Sequence, residues 1–195
     1  MSNKKQVVIP LITEEKSFEI TSATIKDGKC NYVFEIKKGV GIGDSHKVTG
    51  SSFVHPDLED AMGKFRVHLA CVDDVFKHNS VEFENIDELE NNELAAAYSV
   101  TGVKIKGEDE SLSVTIGGHK HVTVGGIMDL ESPKIILDGT GGYKWFDELR
   151  ACVDAVRSEV EQYKAGKCVL GDDEDVKDGK QLTITSANFE DGKVD

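Results

Sequence analysis

No stretch of this chain stays apolar for long. The run from Val7 to Ile12 is interrupted by Pro10, too short for the core of a secretory signal and far too short to cross a bilayer. A cytoplasmic location with no membrane partner is the expectation. Cysteines are scarce as well: Cys30, Cys71, Cys152 and Cys168 lie far apart and form no CxxC pair. That spacing argues against a disulfide framework, and it offers a redox or metal role no partners. They read as reduced thiols acting as small core residues. Positive charge is also short, with 23 Lys and Arg against 36 Asp and Glu and a net charge of −13. Non-specific attraction to nucleic acid or anionic lipid is thereby disfavoured.

Catalytic signatures are missing too. No Ser/His/Asp or Cys/His grouping stands out, and neither GxxxxGK[ST] nor GxGxxG with a ribose-binding acid occurs. His119 and His121 share one face of a strand, a geometry suited to a metal, but no third ligand lies nearby. The expectation is a protein that is not an enzyme, with no cofactor and no metal.

What the chain does have is repetition. FEITSATIKDGK at 18–29 and LTITSANFEDGK at 182–193 agree at seven of twelve positions. A weaker copy, YSVTGVKIKGED, starts at Tyr98, 80 residues after the first. Independently, ACVDDV at 70–75 recurs as ACVDAV at 151–156, an offset of 81. Two unrelated segments with nearly one offset point to a duplicated unit of about 80 residues followed by the opening strand of a third.

Within each unit the periodicity is readable. Alternation around Lys26-Asp27-Gly28-Lys29 predicts a hairpin with a second strand at 32–36. A third strand is expected at 46–49, after the glycine-rich loop 39–43. His55-Pro56-Asp57 then opens a helix over 56–78, whose apolar stripe runs Leu58, Met62, Phe65, Leu69, Val72, Phe76. Residues 85–97 suggest a short acidic helix. The second unit repeats the plan with strands at 100–105, 112–116, 121–124 and 134–137, and Gly117-Gly118 with Gly125-Gly126 suggest an exposed hairpin. Its helix, 144–164, carries the stripe Trp145, Leu149, Cys152, Val156, Val160, Tyr163.

These elements predict an α+β fold, a tandem duplication of a β-β-β-α unit with antiparallel sheets, two equivalent amphipathic helices and an extra C-terminal strand. The expected divisions are an arm at 1–16, unit one at 17–80, a connector at 81–97 and unit two at 98–166. An acidic linker at 167–180, containing Asp172-Asp173-Glu174-Asp175, and a terminal strand at 181–195 complete the chain. Read cyclically, the order β-α-β-β-β occurs twice, which resembles a permuted domain of the DNA sliding clamps. The segment HKVTGSSFVHPDLEDAM is similar to uncharacterised proteins of tailed bacteriophages.

The clamp resemblance implies an oligomer whose helices face DNA, with Lys64, Arg66, Lys77, Arg150 and Arg157 as the candidate phosphate contacts. A separate candidate is Gly139-Thr140-Gly141-Gly142 with Lys144, a glycine-rich turn before a helix that could hold an anion on backbone N–H groups. The function expected is therefore non-enzymatic binding and assembly: a homo-oligomer, a phage-encoded clamp-like accessory factor in DNA transactions. The alternatives are an acidic factor whose partner is a protein, as in an inhibitor of host defence or a virion component, and a binder of a small anionic ligand or nucleotide.

Overall fold

The computed structural model describes residues 17–37 and 43–169. Strands β1 (Ser17–Lys26) and β2 (Lys29–Lys37) form the expected hairpin. Its turn residues Asp27 and Gly28 take φ of 53° and 70°, the two left-handed positions of a turn that matches strand twist. Strand β3 (Asp44–Val54) pairs with β2, and helices α1 (Pro56–Gly63), α2 (Phe65–Val72) and α3 (Val75–His78) follow. A 3-10 turn at Ile86–Leu89 and α4 (Glu93–Ala96) lead into β4 (Tyr98–Lys106). Then come β5 (Ser113–Val122), β6 (Gly126–Glu131), β7 (Ile135–Ile136), α5 (Phe146–Lys164) and β8 (Cys168–Val169).

The strands make one eight-stranded antiparallel sheet in the order β6-β5-β4-β1-β2-β3-β8, with β7 also on β5. The fold is α+β. Alternation assigns the two faces. Ile20, Ala23, Val103, Ile105, Val114 and Ile116 are buried in one core with Leu58, Phe65, Leu69, Val153, Val156 and Val160 of the helices. Each such aliphatic side chain contributes roughly 2 kcal/mol of burial. The opposite face carries Ser22, Thr24, Lys104 and Thr115, as an uncovered antiparallel face should.

At the centre β1 meets β4, with Ser22 opposite Lys104, Ala23 opposite Val103 and Thr24 opposite Gly102. Each of these strands carries an irregularity at its threonine, β1 between Ile20 and Ser22 and β4 between Val100 and Gly102. The Thr21 hydroxyl donates to the Val33 carbonyl and the Thr101 hydroxyl to the Gly117 carbonyl, both at 3.4 Å.

Several expectations are corrected. The single helix 56–78 is three helices, and so not the equal of α5. It is only nicked at Lys64, which keeps φ −61° and ψ −27° and donates its N–H to Asp60 at 3.2 Å. It truly ends at Asp74, whose φ of 54° is left-handed, a conformation Asp adopts more readily than most residues. The acidic helix at 85–97 is two short turns, begun by Asn85 and Asn92 accepting from the Asp87 and Leu94 N–H groups at 3.1 and 2.9 Å. Gly117 and Gly118 lie inside β5, which runs on to Val122 and forms a hairpin with β6 whose turn holds Gly125, and α5 begins at Phe146 instead of Lys144.

The start of the expected linker forms β8, where Val169 faces Phe53 and Cys168 faces Val54. Lys167 beside it pairs with Asp57 at 2.6 Å and Glu159 at 2.7 Å, tying the end of α5 to the start of α1. The expected arm 1–16, the loop 39–42, the rest of the linker and the terminal strand at 181–195 lie outside the described residues.

Candidate functional site

The five cationic candidates are not brought together. Arg66 donates to the Glu90 carbonyl at 2.5 Å, and Arg150 donates to the carbonyls of Leu137 and, at 3.1 Å, Asp109. Arg157 pairs with Glu19 at 2.6 Å and donates through Nε to the Ile20 carbonyl at 3.3 Å. These three guanidinium groups staple helices to strands and loops. Lys64 and Lys77 are exposed, on different helical segments. Replacing Arg157 by Leu, which leaves the Glu19 carboxylate without this cation, should cost about 2 kcal/mol in urea unfolding. Lys64→Leu should move the same curve by under about 0.5 kcal/mol.

The glycine-rich turn spends the donors of Thr140 on a carboxylate of its own chain. The Thr140 N–H and hydroxyl both bond the Asp138 carboxylate at 2.7 Å. The Thr140 hydroxyl first, then the N–H groups of Thr140 and Gly141, hold that carboxyl below its ordinary pKa. The turn thus carries an anion supplied by the chain itself. Gly139 and Gly142 both take φ of 76°, the left-handed conformation that explains why glycine stands there. Lys144 is separated from this turn and stands over the Trp145 ring at 4.1 Å. His119 and His121 share the open face of the sheet; the first pairs with Asp129 at 2.8 Å and the second is exposed. No group of three metal-ligating side chains occurs among the described residues.

Two features escaped the sequence reading. The first is a buried polar cluster between α2, α5 and the loop before α5. His68 is 1% exposed. Its Nδ1 lies 2.8 Å from the Tyr143 hydroxyl and its Nε2 lies 3.7 Å from the Cys152 thiol. Burial lowers the His68 pKa to about 4 and raises those of Cys71 and Cys152 to about 12 and about 11. It also pushes Tyr143 upward, with the nearby Cys71 adding to the effect. All four groups are neutral at ordinary pH, so the cluster holds neither a thiolate nor an imidazolium. The signal for it was present: His68 stands three residues after Phe65 and four before Val72, inside the apolar stripe.

The second is a pocket of about 490 Å³ between α3, residues 80–83 and residues 143–145. Phe76, Phe83 and Trp145 wall it, with Cys71 and Tyr143 on its lining. Two of the residues expected to contact an anion or phosphate, Lys77 and Lys144, stand on its lining.

The free edge of the sheet is unusual. Strand β6 pairs only with β5 among the described residues. Val124 in its turn is 91% exposed, Ile127 66% and Met128 43%. Charged Asp129 and Glu131 lie on the same strand. No helix among the described residues is long and apolar enough to cross a membrane. No protein-family model matches the chain, and no curated protein or solved structure matches it.

Proposed function

We propose that the chain is a non-enzymatic binding and assembly protein that forms a homo-oligomer through the free edge of β6. The observation that carries this reading is the exposed Ile127 and Met128 on an edge strand that pairs on one side only among the described residues, with exposed Val124 in the turn before it. An edge strand presents a row of unsatisfied N–H and C=O groups, and folds usually shield it with charge, proline or brevity. Here large apolar side chains stand on it, which favours pairing with a second strand. Light scattering should give a mass that is a multiple of 21.3 kDa. Ile127→Lys should return the mass to that of one chain with an unchanged circular dichroism spectrum. A wild-type chain that scatters as a monomer at its highest soluble concentration refutes the assembly.

The framework is read as a tandem duplication of a β-β-β-α unit. Its support is the pairing of β1 with β4 at the sheet centre and the matched irregularities at Thr21 and Thr101. Within the assembly class the leading role is a phage-encoded, clamp-like accessory factor in DNA transactions, supported by the element order. The cations that this role called on are largely engaged with carbonyls and a carboxylate, so DNA affinity rests on the assembled form. Mobility shift with duplex DNA at low salt, where phosphate contacts are strongest, tests it. Absence of any shift by an oligomeric sample transfers the reading to an acidic factor whose partner is a protein.

A further inference from the structure

We infer that the pocket walled by Phe76, Phe83 and Trp145 binds a small planar aromatic molecule without net charge. Its volume, about 490 Å³, lies in the range of small-ligand sites, roughly 300–1,000 Å³. The walls are rings held against one another. Phe83 lies 5.6 Å from Phe76 at 68° and 5.5 Å from Trp145 at 22°. Such an array offers both edges and faces to a further ring.

The backbone beside the pocket is held in an uncommon shape. Asp74 and Ser80, at either end of α3, both hold φ of 54°, a conformation that costs non-glycine residues on the order of 1 kcal/mol.

The polar groups define the charge of the occupant. At the lining, the Tyr143 hydroxyl lies 2.8 Å from His68 Nδ1, and burial keeps both it and the Cys71 thiol neutral. At the rim stand Lys77 and Lys144 with Asp74 and Glu82. Two cations and two carboxylates cancel, and no ion pair joins any of them among the described residues. A net anion or cation therefore finds no net field in its favour, and recognition falls to shape and stacking. The site is independent of assembly, since none of its residues belongs to β6.

Trp145 is the one tryptophan of the chain, so its emission reports on this pocket alone. The uncharged probe N-phenyl-1-naphthylamine should quench it by energy transfer, saturating at one site per chain. Val81→Phe, which fills the cavity from its lining, and Phe83→Ala should each weaken binding about tenfold or more. Ile127→Lys, at the distant sheet edge, should leave it unchanged. The sulfonated analogue 8-anilinonaphthalene-1-sulfonate should bind more weakly than the neutral probe. Transfer that does not saturate, or that survives Val81→Phe in a variant with wild-type thermal midpoint, overturns the site. Tighter binding of the sulfonate overturns the neutral ligand.

Discussion

Gly118→Val should lower stability by at least about 3 kcal/mol and the thermal midpoint by about 10 °C, a core-sized effect from a residue that has no side chain. Gly118 sits within β5, opposite Val100 on β4 and Leu130 on β6. A Cβ there would run into the Ser99 carbonyl oxygen and approach Leu69 Cδ2 at 3.0 Å. The first obstacle is backbone of the neighbouring strand, so rotamer changes cannot relieve it. The β4–β5 ladder must separate locally, and Leu69 of α2 must shift away from the sheet. Gly117 is the internal control. A Cβ at that position would meet only the Gly102 carbonyl oxygen, at 3.7 Å on the open face. Gly117→Ala should therefore change stability by less than about 0.5 kcal/mol. Thermal unfolding followed by circular dichroism measures both; equal shifts would mean that the packing of α2 on β5 is wrong.

The same pair of glycines shows where the sequence was opaque. Alternation next to Asp27-Gly28 is local information, and the β1–β2 hairpin followed from it. Gly117-Gly118 breaks the alternation of β5 for a reason that lies elsewhere, in Ser99 and Leu69, so one long strand read as two, 112–116 and 121–124. The stripe from Leu58 to Phe76 was legible because one helix face was enough to see it. Its end at Asp74 was not, since a left-handed Asp is compatible with either continuation or a stop. Cys168 and Val169 carry too short a pattern to announce a strand, and only their register against Val54 and Phe53 makes them one.

The candidate sites were less legible than the fold. Arginines were judged by the helix they stand on, yet Arg150 and Arg157 act on carbonyls brought near by the sheet. The glycine-rich turn was correctly seen as a turn, but the anion at its donors is Asp138, two residues before Thr140. The aromatic pocket joins Phe76 and Phe83 to Trp145, more than 60 residues away along the chain, and no local pattern reports such a meeting. Strands β1 and β4 each carry an irregularity at a threonine, Thr21 and Thr101, which no local pattern announced.

Below neutral pH the protein should lose about 3 kcal/mol of stability between pH 6.5 and pH 4, and His68 should account for it. The imidazole is 1% exposed, and burial takes its pKa from 6.5 down to about 4. Its contacts are the Tyr143 hydroxyl, on the loop before α5, and the Cys152 thiol of α5. Both are neutral, so neither favours an imidazolium. The unfolded chain therefore binds a proton below pH 6.5 that the folded chain refuses until about pH 4. Stability must fall with pH through that window, by about 1.4 kcal/mol per unit. Asp57, Asp73 and Asp138 have pKa values lowered from 3.8, so the stability they contribute is lost as pH falls through those lower values, beneath the window. His68→Gln removes the titration. It should lower stability at pH 8, by leaving Tyr143 and Cys152 less well paired, yet flatten the profile from pH 6.5 to pH 4.5. Urea unfolding of both proteins across that range gives the difference directly. Parallel profiles would show that His68 accepts its proton in the folded state, which a side chain sealed between α2 and α5 can do only if those helices part.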